Sequence, residues 1–200
     1  IEFASRALEE YQSDFARLIK PDSSGRRLRI VCDFGYSSIS SFFPQLLARY
    51  GVDAISTNSF NDARLAPRTD EDVARHLDNL QQIVHTLGYD MGALFVYEGE
   101  RLALVDNLGR IVKGPALFGA MSALIAETRP NPTIAMSVTA PARLEEYLEG
   151  LKVEIIRTKS DTRSLMATSS KEKVTFAGST AGQFIFPEFH AGFDAMYSMC

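Results

Sequence analysis

The residues of this chain best suited to chemistry sit in one short stretch, Phe95-Val96-Tyr97-Glu98-Gly99-Glu100-Arg101, where one apolar run stops and another is about to begin. Carboxylates at alternating positions, with glycine between them, can converge on a hard divalent ion such as Mg²⁺, because glycine lets the backbone curl around it. Glu98 and Glu100 meet part of that requirement. The planar guanidinium of Arg101 beside them suits a bidentate grip on phosphate oxygens. The same residues also suit an ordinary charged hairpin tip, and spacing alone leaves both readings open.

Lys159 and Arg163 form the best remaining basic pair for an anionic group; surface charge beside a helix start is the alternative. His76, His85 and His190 show no metal-ligand spacing and read as solvated or helix-surface positions. The run Ala-Gly-Ser-Thr-Ala-Gly-Gln at 177–183 looks like a glycine-rich phosphate cradle. It lacks the lysine of a P-loop and lies between strands, so it reads as a turn. Phe42, Phe43, Phe184, Phe186, Phe189 and Phe193 read as core.

Positioning these groups requires a folded chain, and the composition allows one. Two hundred residues, 46% hydrophobic and 23% charged, can bury a sizeable core. The net charge of −4 argues against a nucleic-acid partner, which would call for a basic footprint. Cys32 and Cys200 are the only cysteines, too few for a disulfide scaffold, which points to a reducing, cytoplasmic setting. No apolar stretch is long enough to span a membrane, and no signal peptide is visible. The chain starts at Ile1 and stops in an apolar, uncapped segment, so the expectation is a piece of a longer protein.

Residues 1–20 carry apolar positions at helical spacing, from Phe3 to Ile19, and "KPDSSG" then breaks the pattern. From "RLRIVCDF" onward, strands alternate with helices. A helix is expected over 37–50 with Ser37 or Ser38 as its cap, a strand over 52–58, and a well-signalled helix from Thr69 to Gly88. Strand, charged interruption, strand and an Asn107–Gly109 turn follow, up to Val112. The second half repeats the scheme: helix 115–127, strand 133–138, helix 142–148, strand 153–158, helix 163–169, a strand pair and a terminal helix. The fold class expected is α/β, two similar layered domains with mixed, largely parallel sheets. The expected bounds are a helix and linker over 1–25, one domain over 26–112 and a second over 113–200.

Taken in order, these motifs resemble the α-D-phosphohexomutases, the family of phosphomannomutase, phosphoglucomutase and phosphoglucosamine mutase. "FVYEGERLALVDNLG" stands where that family's second domain carries Asp-Gly-Asp-Gly-Asp-Arg, a strand and an Asn-x-Gly turn; Phe95, Gly99, Arg101, Asn107 and Gly109 match. "RIVCDFGYSS" is similar to its opening Val-Val-Asp strand. "IIRTKSDTRSLM" resembles the third domain's Arg-Thr-Lys-Val-Gly-Asp-Arg, and "FAGSTAGQFIF" its sugar-binding Gly-Glu-x-Ser-Gly-His loop. The resemblance implies domains two and three of a four-domain fold. It implies Mg²⁺ at Glu98 and Glu100, phosphate contacts from Arg101, Lys159 and Arg163, and sugar contacts from Ser179 and Gln183. It also implies a hexose phosphate as ligand and flanking domains as partners.

The departures from the family pattern carry equal weight. Val96 stands where the first metal-binding aspartate is expected, and Tyr97 where a glycine is. Ser179, Ala181 and Gln183 replace the Glu, Ser and His of the sugar loop, and a hydroxyl cannot accept the two sugar hydrogen bonds a carboxylate can. Phosphoryl transfer is catalysed almost wholly by positioning and charge neutralisation. The expectation is therefore a mutase-like chain with worn metal and sugar loops, unable to turn over alone, with Mg²⁺ held weakly or not at all. The alternative is a sugar-phosphate-sensing or assembly region of a sugar-1-phosphate nucleotidyltransferase, as found in mannose-1-phosphate guanylyltransferases.

Overall fold

The computed structural model describes residues 2–20, 26–171 and 173–200, with side chains from residue 5 onward. Residues 21–25 of the expected break, and the side chain of Phe3, lie outside the described residues. The first helix, α1, spans Glu2–Leu18. Strand β1 (Arg29–Asp33) is buried from Ile30 onward, as its apolar run requires of a strand with a neighbour on each side. A short 3₁₀ turn (Ser38–Ser41) and α2 (Phe43–Arg49) lead to β2 (Asp53–Thr57). Then come α3 (Asp70–Leu87), β3 (Met91–Val96), β4 (Arg101–Asp106) and β5 (Ile111–Val112). The strands lie in the order β2-β1-β3-β4-β5, parallel across the first three and antiparallel beyond.

The second half repeats this plan. Helix α4 (Gly114–Thr128) precedes β6 (Thr133–Ser137), α5 (Ala142–Gly150), β7 (Glu154–Thr158) and α6 (Thr162–Ser169). A hairpin of β8 (Val174–Ser179) and β9 (Gln183–Ile185) and the short α7 (Ala195–Met199) complete it. The sheet order is β7-β6-β8-β9, again three parallel strands ending in an antiparallel pair. The architecture is mixed α/β with two similar, partly parallel sheets.

Local chemistry explains most boundaries. Thr69 and Asp72 form a reciprocal capping box at the start of α3, and Gly88 ends it in the left-handed conformation. The single helix expected over 37–50 is instead broken in two. Pro44 lacks an N–H, and its ring would strike the carbonyl four residues back, so it is confined to the first turn of α2. Ser37 provides no side-chain cap; its hydroxyl donates to the carbonyl of Phe34 at 2.7 Å. Cys32 is fully buried, and burial, with the neighbouring Asp33 charge, pushes its thiol up to about 12, so it packs as a small apolar group.

One continuous apolar cluster runs from the first sheet to the second, taking in Phe15, Phe43, Phe95, Phe118, Phe176 and Phe184. Phe15 fastens α1 to it: its ring lies 5.7 Å from Tyr50, 5.9 Å from Tyr197 and 6.3 Å from Phe43. Burial of such a ring contributes roughly 2–3 kcal/mol. Among the six phenylalanines expected in the core, Phe43, Phe184 and Phe186 are buried, and Phe42, Phe189 and Phe193 half-buried. Among the described residues, no helix is long and apolar enough to cross a membrane.

Tyr11 adds a polar fastening, donating its hydroxyl to Oδ2 of the buried Asp194 at 2.9 Å. Burial first, then the Asp194 charge and this hydrogen bond, raise the Tyr11 phenol far above the usual tyrosine range. A folded-state pKa raised above the unfolded one means the contribution is complete below about pH 10 and is lost as pH rises beyond it. Urea midpoints measured between pH 8 and 11 are expected to fall above pH 10, and to fall less steeply in Tyr11→Phe. An equal slope in both proteins would remove Tyr11 as the cause.

Candidate functional site

The stretch from Tyr97 to Glu100 is the turn joining β3 to β4, at the carboxyl end of a parallel strand, where ligands collect in α/β sheets. Tyr97, Glu98 and Gly99 have φ of 52°, 53° and 84°, three left-handed residues in a row. For the two non-glycine residues that conformation costs roughly 1–2 kcal/mol each. Three contacts hold the turn. The Arg101 guanidinium lies 4.6 Å from the centre of the Tyr97 ring. Oε2 of Glu98 accepts from Ser38 N at 3.0 Å and Ser38 Oγ at 2.7 Å. The Gly99 carbonyl accepts from Ala195 N at 2.8 Å.

Glu98 thus caps the 3₁₀ turn at Ser38, putting a negative charge beside unsatisfied N–H groups. Glu100 is exposed. The Val96 side chain packs in an apolar cluster with Leu77, Leu80 and Val84, and offers no oxygen. Among the described residues, no three His, Cys, Asp or Glu side chains are grouped to hold an ion. Two carboxylates, one of them committed to Ser38, do not fit the three-aspartate Mg²⁺ set that the family resemblance implies.

The second expected loop, Ser179–Gln183, is the turn of the β8–β9 hairpin, at the matching end of the second sheet. Gly182 closes it at φ 83°, with its N–H bonded to the Ser179 carbonyl at 3.2 Å. The Gly182 carbonyl accepts from Leu102 N at 2.8 Å, so the two loops are hydrogen-bonded to one another across the sheets. A Cβ on Gly182 would stand 2.3 Å from the Leu102 carbonyl oxygen, so glycine is required by contact as well as by φ.

Two hollows flank this junction and share Thr180 and Ala181 as a wall. One, of about 450 Å³, lies between Tyr97, Arg101, Lys113 and the 180–182 turn, over a floor that includes Val73, Val96 and Ala103. The other, of about 180 Å³, is lined by Lys159, Ser179 and Gln183 together with the start of α6. The structure therefore brings Lys159, Ser179 and Gln183 into one cavity and Arg101 into its neighbour. Arg163 is exposed on α6 and lines neither, and Glu98 and Glu100 lie outside both.

Two of the three histidines differ from the solvated or helix-surface positions expected for them. His76 Nδ1 sits 2.8 Å from Oδ2 of the buried Asp33, whose other oxygen accepts from Gly35 N at 2.9 Å; Asn58 Nδ2 joins Oδ2 at 2.9 Å. The signal was in the spacing: His76 lies three residues after Val73 and four before Leu80, on the inward stripe of α3. His190 Nδ1 accepts from Gly192 N at 2.9 Å, so its Nε2 carries the proton facing Asp194 at 3.1 Å. His85 is exposed, as expected.

No family model matches the chain. Curated relatives do. A phosphoglucosamine mutase of Methanocaldococcus jannaschii is 27% identical over 198 residues, covering 97% of this chain and 44% of the relative. That of Campylobacter concisus is 25% identical over 166 residues, covering 82% and 37%. Among solved structures, a phosphoglucomutase/phosphomannomutase family protein from Burkholderia thailandensis superposes with TM-score 0.81 at 20% identity, covering 96% of this chain and 42% of that one. The N-acetylphosphoglucosamine mutase of Aspergillus fumigatus, solved with GlcNAc-6P and magnesium, gives 0.62 at 14% identity, with 95% and 47% covered. The chain thus resembles the α-D-phosphohexomutase superfamily in sequence and shares its fold, and spans less than half the length of the curated relatives it matches.

The junction can be tested by Gly182→Ala, which forces a contact against backbone and a strained φ. It is expected to lower stability by roughly 2–4 kcal/mol in urea unfolding and to speed hydrogen exchange at the Leu102 amide. Unchanged exchange there would mean that the two loops are not coupled.

Proposed function

We propose that this chain is the two-sheet portion of a phosphohexomutase-like protein, and that the paired hollows at the loop junction hold a hexose phosphate without transferring its phosphoryl group. The observation that carries the reading is the Leu102–Gly182 hydrogen bond, which sets Arg101 and Lys113 on one side of the 180–182 turn and Lys159 and Gln183 on the other. A phosphorylated sugar has that bipolar character, an anion at one end and hydrogen-bonding oxygens along its length. The reading without phosphoryl transfer is supported by the donor set at the hairpin tip, where two carboxylates, one bonded to Ser38, offer little to neutralise a transferring phosphate. On this reading the expected domain bounds near Lys113 divide the two sheets, the partners are flanking parts of a longer chain, and the setting is a reducing cytoplasm, in keeping with the free thiols of Cys32 and Cys200.

The second reading, a sensing or assembly region of a sugar-1-phosphate nucleotidyltransferase, is favoured by the diversion of Glu98 from metal binding to Ser38. It shares the ligand and differs only in what the occupied cleft does.

Calorimetry with hexose 1- and 6-phosphates, with and without Mg²⁺, separates these ideas from a working mutase site. Binding is expected, unchanged by Mg²⁺, and weakened about tenfold or more by Arg101→Ala. Tightening of tenfold or more on adding Mg²⁺ would show that the hairpin tip still recruits an ion. Val96→Asp is expected to destabilise the chain in the absence of metal, because it puts an unpaired carboxylate among Leu77, Leu80 and Val84.

A further inference from the structure

Helix α4 is apolar on every side. From Gly114 to Ala126 it carries no charged residue, and Glu127 alone breaks the run before the helix ends at Thr128. A helix that is apolar all round belongs in a core or an interface. Inward, Leu117, Phe118, Met121 and Ile125 meet that need, buried in the cluster with Phe176 and Phe184. Outward, Pro115, Ala116, Ala120 and Leu124 are exposed, Leu124 at 56%. The comparably long α3 shows the ordinary pattern, with Glu71, Arg75, Asp78 and Asn79 at exposed positions.

The open face continues onto α5. A hollow of about 570 Å³ lies between the two helices, lined by Pro115, Gly119 and Ala120 on one side and Arg143, Leu144 and Tyr147 on the other. The Tyr147 ring lies against Gly119, 3.5 Å from where a Cβ would stand, and the residue is 48% exposed. The charges bordering α4 stand at its two ends. Lys113 and Arg143 flank the N-terminal end and Glu127 the C-terminal end, and all three are exposed. Neither Arg143 nor Glu127 makes an ion pair among the described residues, whereas Arg129, just beyond Glu127, is already paired with Glu188.

We propose that this face joins two copies of the chain, α4 against α4 across a two-fold axis. Such an interface must be complementary to itself, and the order of residues along α4 meets that condition. With the axis level with Ala120, antiparallel helices bring Leu124 of one copy to Ala116 of the other, each four residues from the axis. Seven residues from the axis, about 10 Å at roughly 1.5 Å per residue, Glu127 reaches the level of Lys113 and stands beside Arg143. Each copy supplies both signs, so the contact is made twice. Small side chains at the centre let the helix axes approach to about 8 Å, and a crossing near 20° keeps them together over this length. The placement of opposite, unpaired charges at the two ends of one apolar face is what favours a second copy over an unrelated partner. One helix face makes a small interface, so the dimer is reversible, with a dissociation constant on the order of micromolar. The inference does not depend on what the cleft holds.

Sedimentation equilibrium on the whole chain, from about 1 to 500 μM, is expected to show monomer and dimer in exchange. Ala120→Arg sets two guanidinium groups against each other at the axis and is expected to raise the dissociation constant roughly a hundredfold or more. Glu127→Arg and Arg143→Glu alone are each expected to raise it about tenfold, and the double variant to return it to within about threefold of the original. Far-UV circular dichroism of the monomer is expected to be unchanged by these exposed substitutions, so that a loss of dimer reads the interface rather than the fold. A monomer throughout that range would overturn the proposal and leave the face to another part of a longer chain or to a different protein. Dimers that survive Ala120→Arg, or a double variant as weak as the single ones, would overturn it too.

Discussion

Two backbone hydrogen bonds hold the two halves of this molecule face to face: Leu102 N–H to the Gly182 carbonyl, and Ala195 N–H to the Gly99 carbonyl. Each joins a glycine at a hairpin turn of one sheet to an amide belonging to the other half. Neither would be worth more than about 1 kcal/mol alone. Their strength lies in their setting, because they close over an apolar cluster that already runs from Phe95 and Leu102 to Phe118 and Phe184. Burial excludes water from competition, and the glycines let main chain approach main chain with no Cβ between.

That junction explains how a strained turn survives. Tyr97 and Glu98 remain left-handed because the surroundings over-determine them: a guanidinium on the ring, a serine on the carboxylate, and the α7 amide on the next carbonyl. Glutamate at position 98 supplies one methylene more than aspartate, and this chain uses its reach to contact Ser38, sixty residues away. The fold is held at this turn by contacts between residues far apart in the chain.

Much of the architecture was legible in the residues. Buried apolar runs gave β1 and β3, capping and the left-handed glycine gave α3, and the repeated alternation gave two similar sheets. The helix over 37–50 was misread because its apolar spacing outweighed Pro44, although a missing N–H and a ring clash are local facts that the sequence states. The site was less legible. Lys159, Ser179 and Gln183 meet because β7, β8 and the hairpin turn end at one edge of the sheet, and no spacing along the chain encodes which side chains share an edge. The Glu98–Ser38 contact was missed for the same reason, since each partner looks like a surface residue until tertiary structure sets the other against it. His76 was missed although its spacing placed it on the inward stripe of α3.

The two loops share a physical tendency. At the hairpin tip, Val96 is buried among Leu77, Leu80 and Val84 and stabilises the sheet by apolar contact. At the facing turn, Ser179 is an internal link between the Ala181 amide and Gln183. Neither arrangement buries an unpaired anion, and each leaves its local packing or hydrogen bonding satisfied. Sites built for charge stabilisation are costly to the folded state, since like charges and unmet donors must be held close together. The geometry around Gly182 serves the joining of the sheets, which any function of the cleft requires.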